Sequence, residues 1–308
     1  MKARILIGDA RKRLAELPSG SVRTCITSPP YFGLRDYGES DQMGLEETPD
    51  AYVEEMVLLF REVWRVLADD GTLWLNLGDS YSGSGKGPAG NLGAKHDERN
   101  MEHTKASGNV PNGLKPKDLM GIPWRVALAL QADGWYLRQD IIWSKPNPMP
   151  ESVTDRCTKS HEYVFLLSKS ARYYYDNVAI KEPAQDWGTR DRTNGKYHNE
   201  GSGLSPQSGL EKSYETRNKR DVWTIVSKPF KGAHFAVMPE ALVGPCVLAG
   251  SAEGDTVLDP FTGSGTVAVV ALQHGRNFVG TELNPEYGEI AKDRITKAAP
   301  MFNQVEIV

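Results

Sequence analysis

The 308-residue sequence has few cysteines, no long apolar segment and no excess of positive charge. Cys25, Cys157 and Cys246 lie far apart, and none has the C-x-x-C spacing of zinc or redox motifs, so we predict reduced thiols. We interpret His161-Glu162 as a local hydrogen-bonding pair and predict no metal site, because no further ligand lies at a suitable spacing. The N-terminal apolar stretch is too short for a signal peptide, and no run approaches the roughly 20 residues of a membrane span. We therefore expect a cytoplasmic protein without a membrane partner.

Two segments differ in composition from the rest of the chain. Residues 81–117 contain seven glycines and almost no large apolar residues, and residues 181–220 are polar and rich in glycine and serine. Their net charges are +3 and +2, which leaves −9 for the remainder of a chain whose overall charge is −4. Such segments are often solvated linkers, but two basic ones on an acidic scaffold fit a polyanionic partner better. We interpret residues 81–117 as a mobile basic loop.

Outside these segments, short β-branched runs alternate with helical patterns, which is typical of a parallel sheet covered on both faces. Helices are predicted over 50–67, 123–133 and 266–274. Seven strands are predicted, over 4–8, 22–27, 72–77, 136–143, 163–168, 256–259 and 277–282. The sequence therefore predicts a doubly wound α/β fold.

A glycine-rich turn follows the predicted strand 256–259 and precedes a predicted helix. Such a turn lets a ligand approach the backbone closely, with the free N–H groups of the helix facing it. Glu282 ends the next strand, 17 residues past Gly265, where its carboxylate can accept hydrogen bonds from both hydroxyls of a ribose. Together these features predict a nucleoside-binding βαβ unit.

The same turn matches the dinucleotide pattern Gly263-x-Gly265-x-x-Ala268, so an NAD-dependent oxidoreductase is an alternative. Asp259 argues against it. An acidic strand end repels a pyrophosphate but attracts a cation, such as the amino and sulfonium groups of S-adenosylmethionine.

A second turn, Ser28-Pro29-Pro30-Tyr31, ends the predicted strand 22–27. Two prolines fix φ and remove two backbone donors, which makes a rigid turn rich in acceptors. The Ser28 hydroxyl and the Pro29 carbonyl can hold the two hydrogens of an amino group, while the Tyr31 ring stacks on a planar base. A Pro-Pro turn alone is commonly structural, but this one accompanies a nucleoside unit.

These motifs together resemble those of the amino-group DNA methyltransferases of the permuted β class, over nearly all of the chain except the two polar segments. Residues 27–31 resemble the catalytic motif, residues 259–266 the cofactor loop, and Glu282 the ribose carboxylate. The resemblance implies a seven-stranded, Rossmann-like methyltransferase sheet, circularly permuted so that its first two strands come last. It also implies that Trp143 and Lys145 flank the target-base pocket. The predicted cofactor-binding residues are Asp9, His234, Pro239, Asp259, Phe261, Thr262, Gly263, Ser264, Gly265, Thr266, Glu282 and Asn284.

The expected reaction is direct methyl transfer from S-adenosylmethionine to the exocyclic amino nitrogen of a base flipped out of duplex DNA. Residues 1–180 and 221–308 would form one catalytic and cofactor-binding domain, with 181–220 as a target-recognition insert. A serine at the head of the catalytic motif favours cytosine N4, because adenine N6 enzymes of this family more often carry aspartate there. An RNA methyltransferase and an inactive nucleic-acid-binding module stay as alternatives, and the sequence is compatible with a homodimer.

The basic residues of the two segments are predicted to contact DNA in different ways. Lys86, Lys95 and Lys105 in the flexible loop would bind phosphates without regard to sequence. The residues of the insert would contribute to reading base edges: Arg190, Arg192, Lys196, Arg217, Lys219 and Arg220.

Overall fold

The computed structural model describes residues 1–34, 39, 41–83, 110, 113–184, 215–227, 237–298 and 304–308. Its strands are β1 (Lys2–Ile7), β2 (Val22–Thr27), β3 (Leu67–Leu77), β4 (Tyr136–Ser144), β5 (His161–Ser168), β6 (Glu182–Pro183), β7 (Thr216–Arg217), β8 (Val222–Thr224), β9 (Thr256–Asp259), β10 (Asn277–Glu282) and β11 (Gln304–Ile307). Its helices are α1 (Ala10–Leu14), α2 (Pro49–Val66), α3 (Ile122–Ala132), α4 (Glu240–Gly250), α5 (Thr266–Gln273) and α6 (Pro285–Ala298). No helix in these ranges has the length and apolarity needed to cross a bilayer.

The main sheet has the order β11-β1-β10-β9-β2-β3-β5-β4-β8. All seven predicted strands are present in it, and every pairing is parallel except those of β5 with β3 and β4. The predicted count of seven was too low, because β8 and β11 extend the two edges. These two strands have three and four residues, too few for a period-2 pattern to stand out. The predicted α/β class is confirmed.

Helices cover both faces of the sheet. The apolar stripe of α2, with buried Tyr52, Met56 and Phe60, packs with α1 and α3 on one face. Helices α4, α5 and α6 contribute to the apolar cluster on the other face. The predicted helices correspond to α2, α3 and α5. Helix α4 was not predicted, because it is apolar nearly all round and therefore has no amphipathic stripe.

The strand order places β9 and β10, from the C-terminal part of the sequence, between β1 and β2. Strand β10 pairs with β1, with Ile7 opposite Glu282, and β9 pairs with β2, with Cys25 opposite Leu258. The carboxyl ends of β1, β10, β9 and β2 therefore meet at one edge, which is where open α/β sheets bind ligands. The predicted permutation thus brings the two sequence motifs together.

The two ends of the insert between β5 and β8 pair with each other, and we call this paired part the closed base of the insert. Strands β6 and β7 pair in antiparallel fashion, and Arg217 and Arg220 both donate to the Glu182 carboxylate, at 2.9 and 2.8 Å. The chain then returns to the sheet as β8, beside β4. The two ends of the insert are therefore held side by side at the sheet margin.

Candidate active site

One pocket at the carboxyl edge of the sheet joins the two motifs that the sequence analysis identified. It is lined by Ser28 and Pro30 of the proline turn and by Asp259, Gly263 and Glu282 of the glycine unit. The hydroxyl of Thr27 also donates to Asp259 Oδ1 at 2.7 Å, which ties the end of β2 to the end of β9. A ligand in this pocket would therefore contact both motifs.

The glycine turn between β9 and α5 has a backbone conformation that would let a ligand approach it closely. Gly263 and Gly265 have φ angles of 50° and 76°, in the left-handed region that favours glycine. At Gly265 a Cβ would also lie 3.0 Å from Ala291 Cβ of α6. The Glu282 carboxylate accepts from Gly263 N at 2.8 Å and from Asn284 N at 3.0 Å, so it fixes the turn. Each of its oxygens keeps a lone pair for a ligand hydroxyl.

The side chain of Arg294 in α6 forms hydrogen bonds on the outer side of this turn. Its guanidinium donates to Ser264 Oγ at 3.1 Å, to Thr266 Oγ1 at 2.8 Å and to Glu240 at 3.0 Å. Glu240 begins α4 directly after Pro239, whose neighbour Met238 lines the pocket. Arg294 thus links two pocket walls, and the sequence analysis did not identify it.

Asp259 is an almost completely buried carboxyl at the pocket wall. It is 2% exposed, and its Oδ1 accepts from Thr27 Oγ1 and, at 3.0 Å, from Phe261 N. Burial raises its pKa to about 7, and the nearby charge of Glu282 acts in the same direction. Burial also raises the pKa of Glu282. Both groups would be stabilised in their ionised form by a positively charged ligand.

The pocket contains more carboxylates than the sequence analysis expected. Glu39 and Asp41, from the chain that follows the proline turn, line it together with Asp9, Asp259 and Glu282. Five acidic side chains around one pocket favour a cation over a phosphate. No motif marks Glu39 or Asp41, because neither residue belongs to a helix or strand with a periodic sequence pattern.

Asp9 lines the pocket but its carboxylate is already engaged. It begins α1, and its oxygens accept from the Arg11 backbone N and side chain, while Arg11 also pairs with Glu55 at 2.6 Å. Burial opposes ionisation, yet the Arg11 hydrogen bonds hold the pKa of Asp9 below its usual value. Asn284 also lines the pocket and caps α6 through Glu286 N. The cofactor roles of Asp9 and Asn284 stay predictions.

The proline turn is held rigidly from below. Tyr52 of α2 donates to the Pro30 carbonyl at 2.9 Å. The Tyr31 ring lies so close to the backbone that a Cβ at Gly78 would be 2.6 Å from its Cε2. Only glycine at position 78 permits this approach. Cys25, in the preceding strand, is fully buried, and burial raises its pKa well above the ordinary range, so the thiol is part of the core rather than a nucleophile.

A polar cluster surrounds the Tyr31 hydroxyl on the side of β3, β4 and β5. The hydroxyl donates to Glu162 Oε2 at 2.8 Å, Asn76 Nδ2 donates to the same oxygen at 3.2 Å, and Lys145 pairs with Glu162 Oε1. The interpretation of His161-Glu162 as a local pair was therefore wrong. Because β5 is antiparallel, its first residues lie at the carboxyl edge of the parallel strands, and no sequence pattern indicates that direction.

Lys145 and Trp143, which were predicted to flank the target-base pocket, lie in different environments. Lys145 reaches the polar cluster, with its Nζ 4.2 Å from the centre of the Trp143 ring. Trp143 itself is 4% exposed and donates from its indole nitrogen to the Ile225 carbonyl, so the structure places it in the core beneath Lys145. Their assignment to the target-base pocket stays a prediction.

The predicted DNA contacts fall largely outside the described residues. Lys86, Lys95, Lys105, Arg190, Arg192, Lys196 and the predicted cofactor residue His234 all lie there. Arg217 and Arg220 are described, and both pair with Glu182 at the base of the insert. Lys219 Nζ lies 5.0 Å from the centre of the Trp223 ring. These described cations brace the insert, and base reading by them stays a prediction.

The permuted, mostly parallel sheet and its acidic pocket beside a Ser-Pro-Pro-Tyr turn define a methyltransferase of the α/β class. A DNA methylase family model of the N6 and N4 type matches residues 22–293. The chain belongs to this DNA methylase family, and the predicted resemblance is confirmed. It is therefore a DNA methyltransferase acting on amino groups, which decides against the NAD-dependent oxidoreductase.

Individual relatives agree with the family match. The chain is 50% identical to the type II methyltransferase M.Cfr9I of Citrobacter freundii over 295 residues, which cover 95% of this chain and 87% of the relative. It is 48% identical to M.SmaI of Serratia marcescens over 294 residues, covering 96% and 91%.

Solved structures share the fold. A DNA modification methylase of Thermus thermophilus, TTHA0409, in complex with S-adenosyl-L-methionine, is 25% identical, with a TM-score of 0.62 over 99% of this chain and 98% of that one. The PvuII DNA methyltransferase, cytosine-N4-specific, has a TM-score of 0.63 at 17% identity, over 99% and 95% of the two chains.

Proposed function

We propose that this protein transfers the methyl group of S-adenosylmethionine to the exocyclic amino nitrogen of one base in duplex DNA, with cytosine N4 as the target. The observation that carries the proposal is the single pocket lined by both Ser28 and Glu282. It gives a cofactor bound at the glycine unit direct access to a base held at the proline turn.

The pocket suits this cofactor in charge and in shape. Its sulfonium and amino groups are cationic, and Asp259, Glu39 and Asp41 supply negative charge around the cavity. The adenosine part would lie against the glycine turn, with the ribose hydroxyls on Glu282. Val237 and Met238 form an apolar wall of the same pocket.

The proline turn would act on the amino group. When bound, S-adenosylmethionine would supply an electrophilic methyl group, which would pass from sulfur to the amino lone pair and leave a neutral thioether, while the nitrogen would lose one proton to water. The exocyclic nitrogen is a poor nucleophile because its lone pair is delocalised into the ring. Hydrogen bonds from its two N–H groups to Ser28 Oγ and the Pro29 carbonyl would draw it towards tetrahedral geometry and align it with the methyl group.

Two further parts of the proposal concern the DNA. The target base must leave the duplex, and Tyr31, beside Ser28, would be the aromatic residue that stacks on it. Residues 181–220 would recognise the sequence around the target, and residues 81–117 would hold the phosphates. The choice of cytosine N4 depends on Ser28 at the head of the motif.

Mass spectrometry of nucleosides tests the proposal. Duplex DNA incubated with the protein and deuterated-methyl S-adenosylmethionine should yield labelled N4-methylcytosine, with Ser28→Ala much slower and transfer RNA unlabelled. Labelled N6-methyladenine would contradict the choice of base only. Absence of label in every DNA nucleoside would contradict the proposed reaction.

A further inference from the structure

We propose that Glu162 is a positioning residue that fixes the direction of the hydrogen bonds from Ser28 to Tyr31 to Glu162, so that the Ser28 oxygen faces the target amino group as an acceptor. The inference rests on the proposed function, since it concerns how the proline turn holds the base. It assigns a role to a side chain that no motif of the sequence identified.

Three donors converge on the Glu162 carboxylate, which can only accept. Its side chain is 16% exposed; Tyr31 Oη and Asn76 Nδ2 lie 2.8 and 3.2 Å from Oε2, and Lys145 pairs with Oε1. Asn76 Nδ2 also donates to the Tyr163 carbonyl at 3.0 Å, so the orientation of its amide is determined. The Glu162 carboxylate therefore accepts hydrogen bonds from three separate parts of the sheet edge: the proline turn, β3 and the residue after β4.

This arrangement decides which way each hydroxyl points. Tyr31 has one hydroxyl hydrogen, and its shorter contact is to Glu162 at 2.8 Å rather than to Asn76 Oδ1 at 3.3 Å. Burial and the charge of Glu162 raise the pKa of Tyr31 well above its usual range, so this hydrogen is retained. With its hydrogen committed, the Tyr31 oxygen can only accept.

Ser28 lies next in the chain of hydrogen bonds. Its Oγ is 3.4 Å from Tyr31 Oη, and since Tyr31 accepts, Ser28 donates its hydrogen there. Both lone pairs of Ser28 are then left for a ligand. A conjugated amino group offers only N–H donors, so an oxygen without a hydrogen directed at it is what the target requires. Without Glu162, the Ser28 hydrogen is free to rotate towards the amino group and repel it.

Lys145 balances the charge that this arrangement needs. It pairs with Glu162 and rests over the Trp143 ring, at the end of β4. A carboxylate removed from water requires a compensating cation. The Glu162 carboxylate can therefore lie next to the proline turn, because the Lys145 ammonium neutralises its charge.

A double-mutant cycle tests the inference. Glu162→Gln keeps the size of the side chain but turns an amide NH₂ towards incoming donors, and Tyr31→Phe removes the linking hydroxyl. Each should slow single-turnover methylation of duplex DNA roughly 10- to 100-fold, as expected for losing one hydrogen bond to a charged group. The double variant should be no slower than the slower single variant, because both break the same chain. Cofactor affinity should stay at the parent value, whereas Glu162→Gln should lower the melting temperature because it leaves Lys145 without its ion-pair partner.

Asp140→Asn is the matched control, since this exposed carboxylate of β4 should leave the rate unchanged. Rate losses that multiply in the double variant, or Glu162→Gln at the parent rate, would overturn the inference while leaving the proposed function intact. A parent protein without methylation activity would overturn both. The rates of all variants are compared at a temperature at which every one of them is folded, and non-multiplying losses are expected there.

Discussion

Asp259→Asn should make the empty protein more stable at pH 8. The carboxyl is 2% exposed, and burial raises its pKa from 3.8 to about 7. One pKa unit corresponds to about 1.4 kcal/mol, so keeping this group ionised at pH 8 destabilises the folded state by about 4 kcal/mol. Asparagine removes the charge, and its oxygen can still accept from Thr27 and Phe261. Allowing about 1 kcal/mol for an unpaired amide NH₂, we expect a gain of about 3 kcal/mol.

The free energy of unfolding of the parent protein should decrease with rising pH. Because the folded-state pKa lies above the unfolded value, the folded protein binds more protons between pH 3.8 and about 7. Its free energy of unfolding therefore decreases as the pH rises through this window. The raised pKa of Glu282 acts in the same direction. The advantage of Asp259→Asn over the parent should grow by about 2 to 3 kcal/mol between pH 5 and pH 8.

Urea unfolding at pH 5, 6, 7 and 8 without cofactor measures this difference. The matched control is Asp69→Asn, a fully exposed carboxylate paired with Lys169, whose stability curve should run parallel to that of the parent at every pH. Parallel pH curves for Asp259→Asn and the parent, or a less stable variant at pH 8, would refute the reasoning.

Cofactor binding supplies an independent measurement of the same group. A cationic ligand should lower the Asp259 pKa and release protons near pH 7. Calorimetry of S-adenosylmethionine in two buffers of different ionisation enthalpy should detect this release with the parent and less of it with Asp259→Asn. We also expect roughly 10- to 100-fold weaker binding by the variant, because a charge-assisted contact is lost.

Other parts of the molecule give equally specific expectations. Gly78→Ala should slow methylation at least about tenfold, since its Cβ would meet the Tyr31 ring, whereas Gly244→Ala in α4, whose Cβ would meet no atom within 4 Å beyond its chain neighbours, should retain activity. Glu282→Gln should weaken S-adenosylmethionine binding about tenfold or more by calorimetry, while Glu306→Gln on the exposed edge strand should not. Neutralising Lys86, Lys95 and Lys105 should weaken binding equally for all duplexes and flatten its salt dependence, whereas changes at Arg190 or Arg192 should alter which sites are methylated. Competition with cognate and scrambled duplexes at two salt concentrations checks this, and unaltered site preference after removal of residues 185–214 would contradict it.

The proximity of the two motifs could be predicted from the sequence. Thr27 and Asp259 are 232 residues apart, yet their side chains form a hydrogen bond. The prediction was available because both follow short β-branched runs, and the carboxyl ends of parallel strands meet at one edge. The glycines of residues 263–265 and Glu282 were identifiable for the same reason, since strand, turn and helix are local patterns.

The rest of the site depends on contacts that no local pattern encodes. Glu162 reaches Tyr31 only because β5 runs antiparallel to its neighbours, and period-2 alternation does not report strand direction. Glu39 and Asp41 reach the pocket through an irregular loop. The burial of Trp143 could not be predicted either, because a strand-end aromatic residue has the same pattern whether it faces a cavity or the core.

The closed base of the insert has an evolutionary consequence. Strands β6 and β7 already hold the ends of the insert together, with Glu182 between two arginines. A longer chain between these ends therefore costs only additional loop-closure entropy. That entropy amounts to about 0.6 kcal/mol for each doubling of loop length. Insertions, deletions and exchanges between residues 184 and 215 can therefore accumulate with little effect on folding. Under the proposed role of residues 181–220, new recognition sequences would arise by replacing this segment alone, while the chemistry of the sheet edge stays as it is.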